Sequence, residues 1–163
     1  MIPLLSLIID TLRASDYQFE IAEEHQTVRL HIEGDAARWK TFLRVLPRHQ
    51  LAIYSTPDVR VPEPRRAAMA EFLTRANFGL VIGNLEMDFA DGEVRCKTSI
   101  DSGGEVFDQA ILVNLLNANL ANTNRYLPGV MGVAFGDLTP SEAVRRCEVD
   151  GDDDGDDGDA PMG

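Results

Sequence analysis

Hydrophobic residues recur along this chain in two periods, and the switches between them lay out its elements. Leu4, Ile8 and Leu12 fall four apart with Leu5 and Ile9 beside them, a stripe that predicts a short helix over residues 3–13. Pro3 suits its first turn, where a missing N–H costs nothing. The period then drops to two. Tyr17, Phe19 and Ile21 alternate with Gln18 and Glu20; after the polar run Glu23-Glu24-His25-Gln26, Val28, Leu30 and Ile32 alternate with Arg29, His31 and Glu33. An antiparallel hairpin is expected.

Residues 39–46 and 50–55 read as a second strand pair around Pro47-Arg48-His49, because Trp39, Phe42, Val45, Ile53 and Tyr54 favour a pleated surface. The first of these is also readable as a short helix. Pro57, Pro62 and Pro64 bar regular structure until a helix begins near Glu63, with Ala67, Ala68, Ala70, Phe72 and Leu73 supplying propensity. That helix is expected to end at Asn77-Phe78-Gly79, with Asn77 or Gly79 as a left-handed cap. Residues 80–89 and 93–100 then form two strands joined by Ala90-Asp91-Gly92, where the Asp-Gly pair is a strong hairpin signal. Alternation places Glu86 and Asp88 opposite Arg95 and Lys97.

After the break Ser102-Gly103-Gly104, a long helix is expected from Glu105 to at least Asn124. Its run QAILVNLLNANLANTN, residues 109–124, contains no charged side chain. A helix apolar on several sides is covered on several sides, either by its own sheet or by a partner. The segment 125–129, with Pro128, is read as a kink in place of an end, since residues 130–135 are again apolar. A last helix over 140–146, capped by Thr139, closes the folded part.

Length and charge bound the class. The 163 residues, 44% of them hydrophobic, suffice for one core without a staple. The formal charge of -12 is concentrated in the last fourteen residues, whose seven aspartates leave only -5 on the rest. Residues 1–149 are therefore expected to form one α+β domain and residues 150–163 a disordered Asp/Gly tail, too poor in apolar residues to offset its ordering entropy. An acidic chain of this kind is a poor match for a phosphate backbone, so nucleic acid is not an expected partner. The apolar run 1–9 lacks a basic flank and a small-residue cleavage site, and no segment has the roughly 20 apolar residues of a membrane span. Two cysteines without CxxC spacing suggest neither zinc nor a disulfide framework, and a reduced, cytoplasmic setting fits. Cys96 takes a core position on its strand; Cys147, after Arg145-Arg146, is expected at the surface.

Chemistry-bearing motifs are sparse. Asp150, Asp152, Asp154 and Gly155 open like a calcium loop, but its twelfth position is Pro161 where a bidentate Glu belongs. His25, His31 and His49 fit no metal spacing. No nucleophile elbow, P-loop or dinucleotide fingerprint is present, and Glu105 occupies the helix start at which Gly103-Gly104 would otherwise receive an anion. Asp88, Asp91 and Glu93 read as solvated turn acids. No catalytic residue, metal or cofactor is expected.

The run EFLTRANFGLVIGNLEMDFADGEVRCKTSID, with NRYLPGV and PSEAV beyond it, resembles the YbjN family of bacterial proteins, labelled sensory transduction regulators. Leu73, Asn77, Leu80, Gly83 and Asn84 match its Leu-x-x-x-Asn-x-x-Leu-x-x-Gly-Asn pattern, and residues 91–95 its Asp-Gly-Glu-Val-Arg turn. The resemblance implies a type III secretion chaperone-like α+β fold, with an antiparallel sheet and helices packed on one side, and a protein-binding module in which two copies associate. It supplies no catalytic residues, and the Asp/Gly tail departs from it. The expectation is a non-enzymatic protein-interaction module, a regulator or chaperone, that binds another protein at Leu112, Leu116, Asn117 and Leu120 of the uncharged helix and forms a homodimer through that helix or the sheet edge. One rival is a ligand site assembled from Asn84, Glu86, Arg95 and Lys97; another makes the acidic tail the active part.

Overall fold

The computed structural model describes residues 3–105 and 107–149. Its elements are α1 (Pro3–Ala14), β1 (Phe19–Ala22), β2 (Thr27–Glu33), β3 (Arg38–Leu46), β4 (Gln50–Pro57), α2 (Arg66–Gly79), β5 (Asn84–Met87), β6 (Val94–Ile100), α3 (Gln109–Phe135) and α4 (Pro140–Val149). The strands form one antiparallel sheet in the order β1-β2-β3-β4-β6-β5. The α+β class follows from the alternation: each strand directs one apolar row to the same side, and the helices cover that side only.

Two groups of side chains fill the covered side. Leu4, Leu5, Ile8, Ile9 and Leu12 of α1 pack with Val28, Leu30, Leu43 and Ile53 of the sheet and with Leu112 and Leu116 of α3. Phe72 and Ala76 of α2 pack with Cys96, Tyr126, Val130 and Val133, and with Ala143 and Cys147 of α4. Leu120 and Ile32 touch both groups, so α3 joins them.

Several sequence expectations change in detail. Residues 39–46 are strand, not helix, since Trp39, Thr41, Leu43 and Val45 all turn inward. Pro57 ends β4 opposite Trp39 instead of lying beyond it. Helix α2 ends without a left-handed residue: Leu80 beyond it is extended, and Asn77 instead uses its side chain to donate to Leu85 O and accept from Leu85 N, at 2.8 and 2.7 Å. That clamp postpones β5 to Asn84, so residues 80–83 are loop, turned by Gly83 at φ 84°. Asp88 has no ion-pair partner among the described residues. Its carboxylate accepts from Ala90 N within the hairpin turn, where Gly92 holds φ 78°.

Helix α3 starts at Gln109, capped by Asp108, whose carboxylate accepts from Ile111 N at 3.1 Å. It runs through Pro128 to Phe135, longer than expected. Thr139 and Glu142 cap α4 reciprocally: Thr139 N donates to the Glu142 carboxylate at 3.0 Å and Glu142 N to Thr139 Oγ1 at 3.3 Å. Cys147 is buried, not exposed, because Ala143 and Cys147 lie on the face that α4 turns to α2 and α3. It lies over Gly129, where a Cβ would come within 2.8 Å of its Sγ. The acidic segment 150–163 lies outside the described residues.

Candidate functional site

Among the described residues no element covers the side of the sheet opposite the helices, and the register aligns the outward side chains of that side in rows. One row reads Glu20, Arg29, Phe42, Tyr54, Lys97 and Asn84 from edge to edge. Beside it His31 stands opposite Lys40 and Arg95 opposite Glu86; on the other side Thr27 stands opposite Arg44. A groove of about 1200 Å³ crosses this face, lined by Arg29, Lys40, Phe42, Arg44, Tyr54 and Arg95 among others.

Charge on this face runs against that of the chain. Its outward strand positions hold six cations (Arg29, Arg38, Lys40, Arg44, Arg95, Lys97) against three acids (Glu20, Glu33, Glu86), whereas the whole sequence carries -12. Most of these cations are held. Arg29 pairs with Glu20, Arg38 with Glu33 at 2.9 Å, and Arg95 and Lys97 with Glu86 at 2.5 and 2.9 Å. Lys40 and Arg44 are different: both are exposed, and neither has a hydrogen-bond or ion-pair partner among the described residues. They flank Phe42 on β3, and Phe42 stands opposite Tyr54, over whose ring the Arg95 guanidinium lies 4.5 Å from the centroid. The centre of the groove is thus a pair of aromatic rings between cations.

The structure does gather Asn84, Glu86, Arg95 and Lys97. Asn84 Nδ2 donates to Glu86 at 3.2 Å, and the same carboxylate receives Arg95 and Lys97. Burial raises the Glu86 pKa, but the hydrogen bonds from Lys97 and Arg95 outweigh it and hold the group below its ordinary value. This is a mutually satisfied ion-pair cluster at one end of the groove. Among the described residues no cluster of His, Cys, Asp and Glu is arranged to hold a metal, and no helix is long and apolar enough to cross a membrane.

The residues singled out on α3 separate. Leu112 and Leu116 are buried in the core against α1 and the sheet, Leu120 is half-buried between the two core groups, and Asn117 is exposed. The uncharged helix is explained by its own fold: Asn119 is fully buried, Asn122 donates to Ile82 O at 2.9 Å, and Asn124 bonds Asp35. Sequence reasoning missed the groove. Its signal was present in the outward positions of β3, where Lys40, Phe42 and Arg44 recur at period two in an acidic chain.

Exposed apolar side chains gather elsewhere. Phe78, in the last turn of α2, and Val81, on the loop that leads into β5, are 96% and 97% exposed, with the exposed Ile82 next to Val81 in the chain.

A profile of the YbjN family, described as "Putative bacterial sensory transduction regulator", matches residues 5–130. The chain belongs to the YbjN family. No curated protein matches it. Among solved structures, a chain of the HopA1-SchA chaperone–effector complex is similar to this YbjN-family chain over 71% of its length and 85% of that chain, with 19% identity and a TM-score of 0.46.

Proposed function

We propose that this YbjN-family chain is a non-enzymatic protein-interaction module of the cytoplasm that holds an extended, acidic segment of a partner protein across its bare sheet face. The observation that carries this reading is the groove centred on Phe42 and Tyr54, with Lys40 and Arg44 beside the rings and without an ion-pair partner among the described residues. A wide, shallow, amphipathic surface suits a peptide; a small-molecule site is concave and encloses most of its ligand. Two buried free thiols are compatible with a reducing compartment. The module acts as a homodimer, associating at the apolar corner formed by Phe78, Val81 and Ile82 beside the short edge strand β5.

The test is a titration of the full chain with acidic peptides containing aromatic residues, repeated on a Lys40→Glu/Arg44→Glu variant. Both positions are exposed, so the fold is retained. Removing two surface ion pairs of up to about 1 kcal/mol each weakens binding by about tenfold. Equal affinity of the two proteins, or turnover of a small substrate, overturns the proposal. Light scattering of the wild type and of Val81→Asp tests the dimer.

A further inference from the structure

We infer that the partner segment lies along β3 and carries the pattern acid-x-aromatic-x-acid, its two carboxylates meeting Lys40 and Arg44 and its ring meeting Phe42; this rests on the reading of the groove given above. Charge complementarity is the first ground. The outward residues of β3 are, in order, Arg38, Lys40, Phe42, Arg44 and Leu46, with no acid among them. Glu33 pairs with Arg38 at 2.9 Å. That leaves Lys40 and Arg44 as exposed cations without an ion-pair partner among the described residues, one on each side of the Phe42 ring.

Period is the second ground. An extended segment sends every second side chain to one side, about 6.6 Å apart, and β3 presents its own outward side chains at that same interval. Lys40 and Arg44 therefore stand about 13 Å apart with Phe42 midway, and a segment aligned with β3 sets its residues i, i+2 and i+4 over them. Such a segment rides about 10 Å above the sheet, as a second layer does, a gap that a Glu and a Lys or Arg close between them. Neighbouring strands repeat at about 4.8 Å, so a segment laid across the strands falls out of step with the row from Glu20 through Phe42 and Tyr54 to Asn84. That path also runs over Glu20 at one end and beside Glu86 at the other.

The surroundings fix what each position takes. Arg29 stands opposite Phe42 but is held by Glu20, and Arg95 lies over the Tyr54 ring while bonded to Glu86. A middle carboxylate would therefore meet the face of a ring and cations already paired. An aromatic side chain there stacks on Phe42 and offers its own face to Lys40 or Arg44. A single nucleic-acid strand is the poorer match: it carries a charge on every unit and would meet two such cations among Glu20, Glu33 and Glu86, in a chain of net charge -12.

The experiment titrates the full chain with three peptides of one composition, capped at both ends, whose central residues read Glu-Thr-Phe-Thr-Glu, Glu-Phe-Thr-Thr-Glu and Glu-Thr-Phe-Glu-Thr. The second turns the ring to the opposite side of the extended segment, and the third turns one carboxylate. The first is expected to bind about fivefold tighter than either of the others. In the Lys40→Glu/Arg44→Glu variant the difference between the first and the third is expected to vanish. A nitroxide on the residue before the first Glu is expected to give paramagnetic broadening centred on one end of β3, at Arg38 or at Leu46.

Equal affinity for the three peptides, or broadening centred on β1 or β5, sinks the inference and leaves the acidic-segment reading of the groove intact. Binding of none of them removes both. A single-stranded oligothymidylate that binds more tightly than the first peptide in the same buffer overturns the inference and makes a nucleic acid the occupant.

Discussion

The side-chain amide of Asn119, on the buried face of α3, donates to the carbonyl of Ile53 in β4 at 3.0 Å and lies 3.3 Å from the carbonyl of Cys96 in β6. One helix residue thereby bonds two neighbouring strands. Asn119 is fully buried, so these bonds form in a setting where an unmet polar group is costly.

Asn119→Leu is expected to destabilise the fold by about 1–3 kcal/mol, read as a lower denaturant midpoint. Asn119→Asp is worse at neutral pH, because a buried carboxylate would face carbonyl oxygens and its folded-state pKa would rise. With the folded pKa above the unfolded one, that penalty appears as pH rises through about 3.9 and is absent below it. Chemical denaturation across pH 3–7 should show the gap between Asn119→Asp and wild type closing on the acid side. A pH-independent gap would place Asn119 in a wetter environment.

At Gly129 a Cβ would meet Phe72 Cζ at 2.5 Å and Cys147 Sγ at 2.8 Å. The glycine lets α2 and α4 approach α3. Gly129→Ala gains up to about 1 kcal/mol in helix propensity and loses about 1–3 kcal/mol to overpacking. A net fall in melting temperature is expected; a rise would mean that Phe72 and Cys147 move aside freely.

The Glu86 carboxylate is held below its ordinary pKa by Lys97 and Arg95 against the opposing effect of burial. Its stabilising contribution is therefore complete above its unfolded pKa, about 4.3, and is lost as pH falls through the lower folded value. In wild type, part of the acid destabilisation below about pH 4.3 comes from this group. Glu86→Gln should be less stable than wild type at pH 7 and converge with it at low pH. Parallel curves would mean that the cluster contributes nothing through its charge.

Cys96 is 1% exposed, and burial is the main reason its thiol pKa is pushed up to about 11 from 9.0. Two units leave about a hundredfold less thiolate near neutral pH. A thiol reagent should label Cys96 only at the rate at which the fold opens, and much faster in denaturant. Rapid labelling of the native protein at this residue would show that the second core group is loosely packed.

Placing Lys at Leu112 or Leu116 is expected to unfold the chain, not to dissect an interface, since both side chains lie inside the core. A buried, unpaired ammonium costs more than about 3 kcal/mol. Asn117→Lys on the exposed side of α3 should change stability by no more than about 0.5 kcal/mol. Circular dichroism separates the two outcomes.

Most elements were legible because each is written in local periodicity: the stripe of α1, the alternation of β1 to β4, the Asp-Gly turn before β6 and the Thr139 cap all act over a few residues. Boundaries set by distant partners were not. The Asn77 clamp on Leu85 shortens β5, and nothing local distinguishes it from a helix-ending Asn. The uncharged run of α3 determined that the helix is covered without determining by what. Only packing decided that α1, α2, α4 and the sheet do the covering, and that Asn119 points inward between β4 and β6. The groove belongs to the same class: strand alternation assigned Lys40, Phe42 and Arg44 to one side of β3, but whether that side is bare depends on where all four helices pack. Helix placement is a nonlocal outcome of matching apolar areas, and among the described residues it leaves the cationic, aromatic face uncovered.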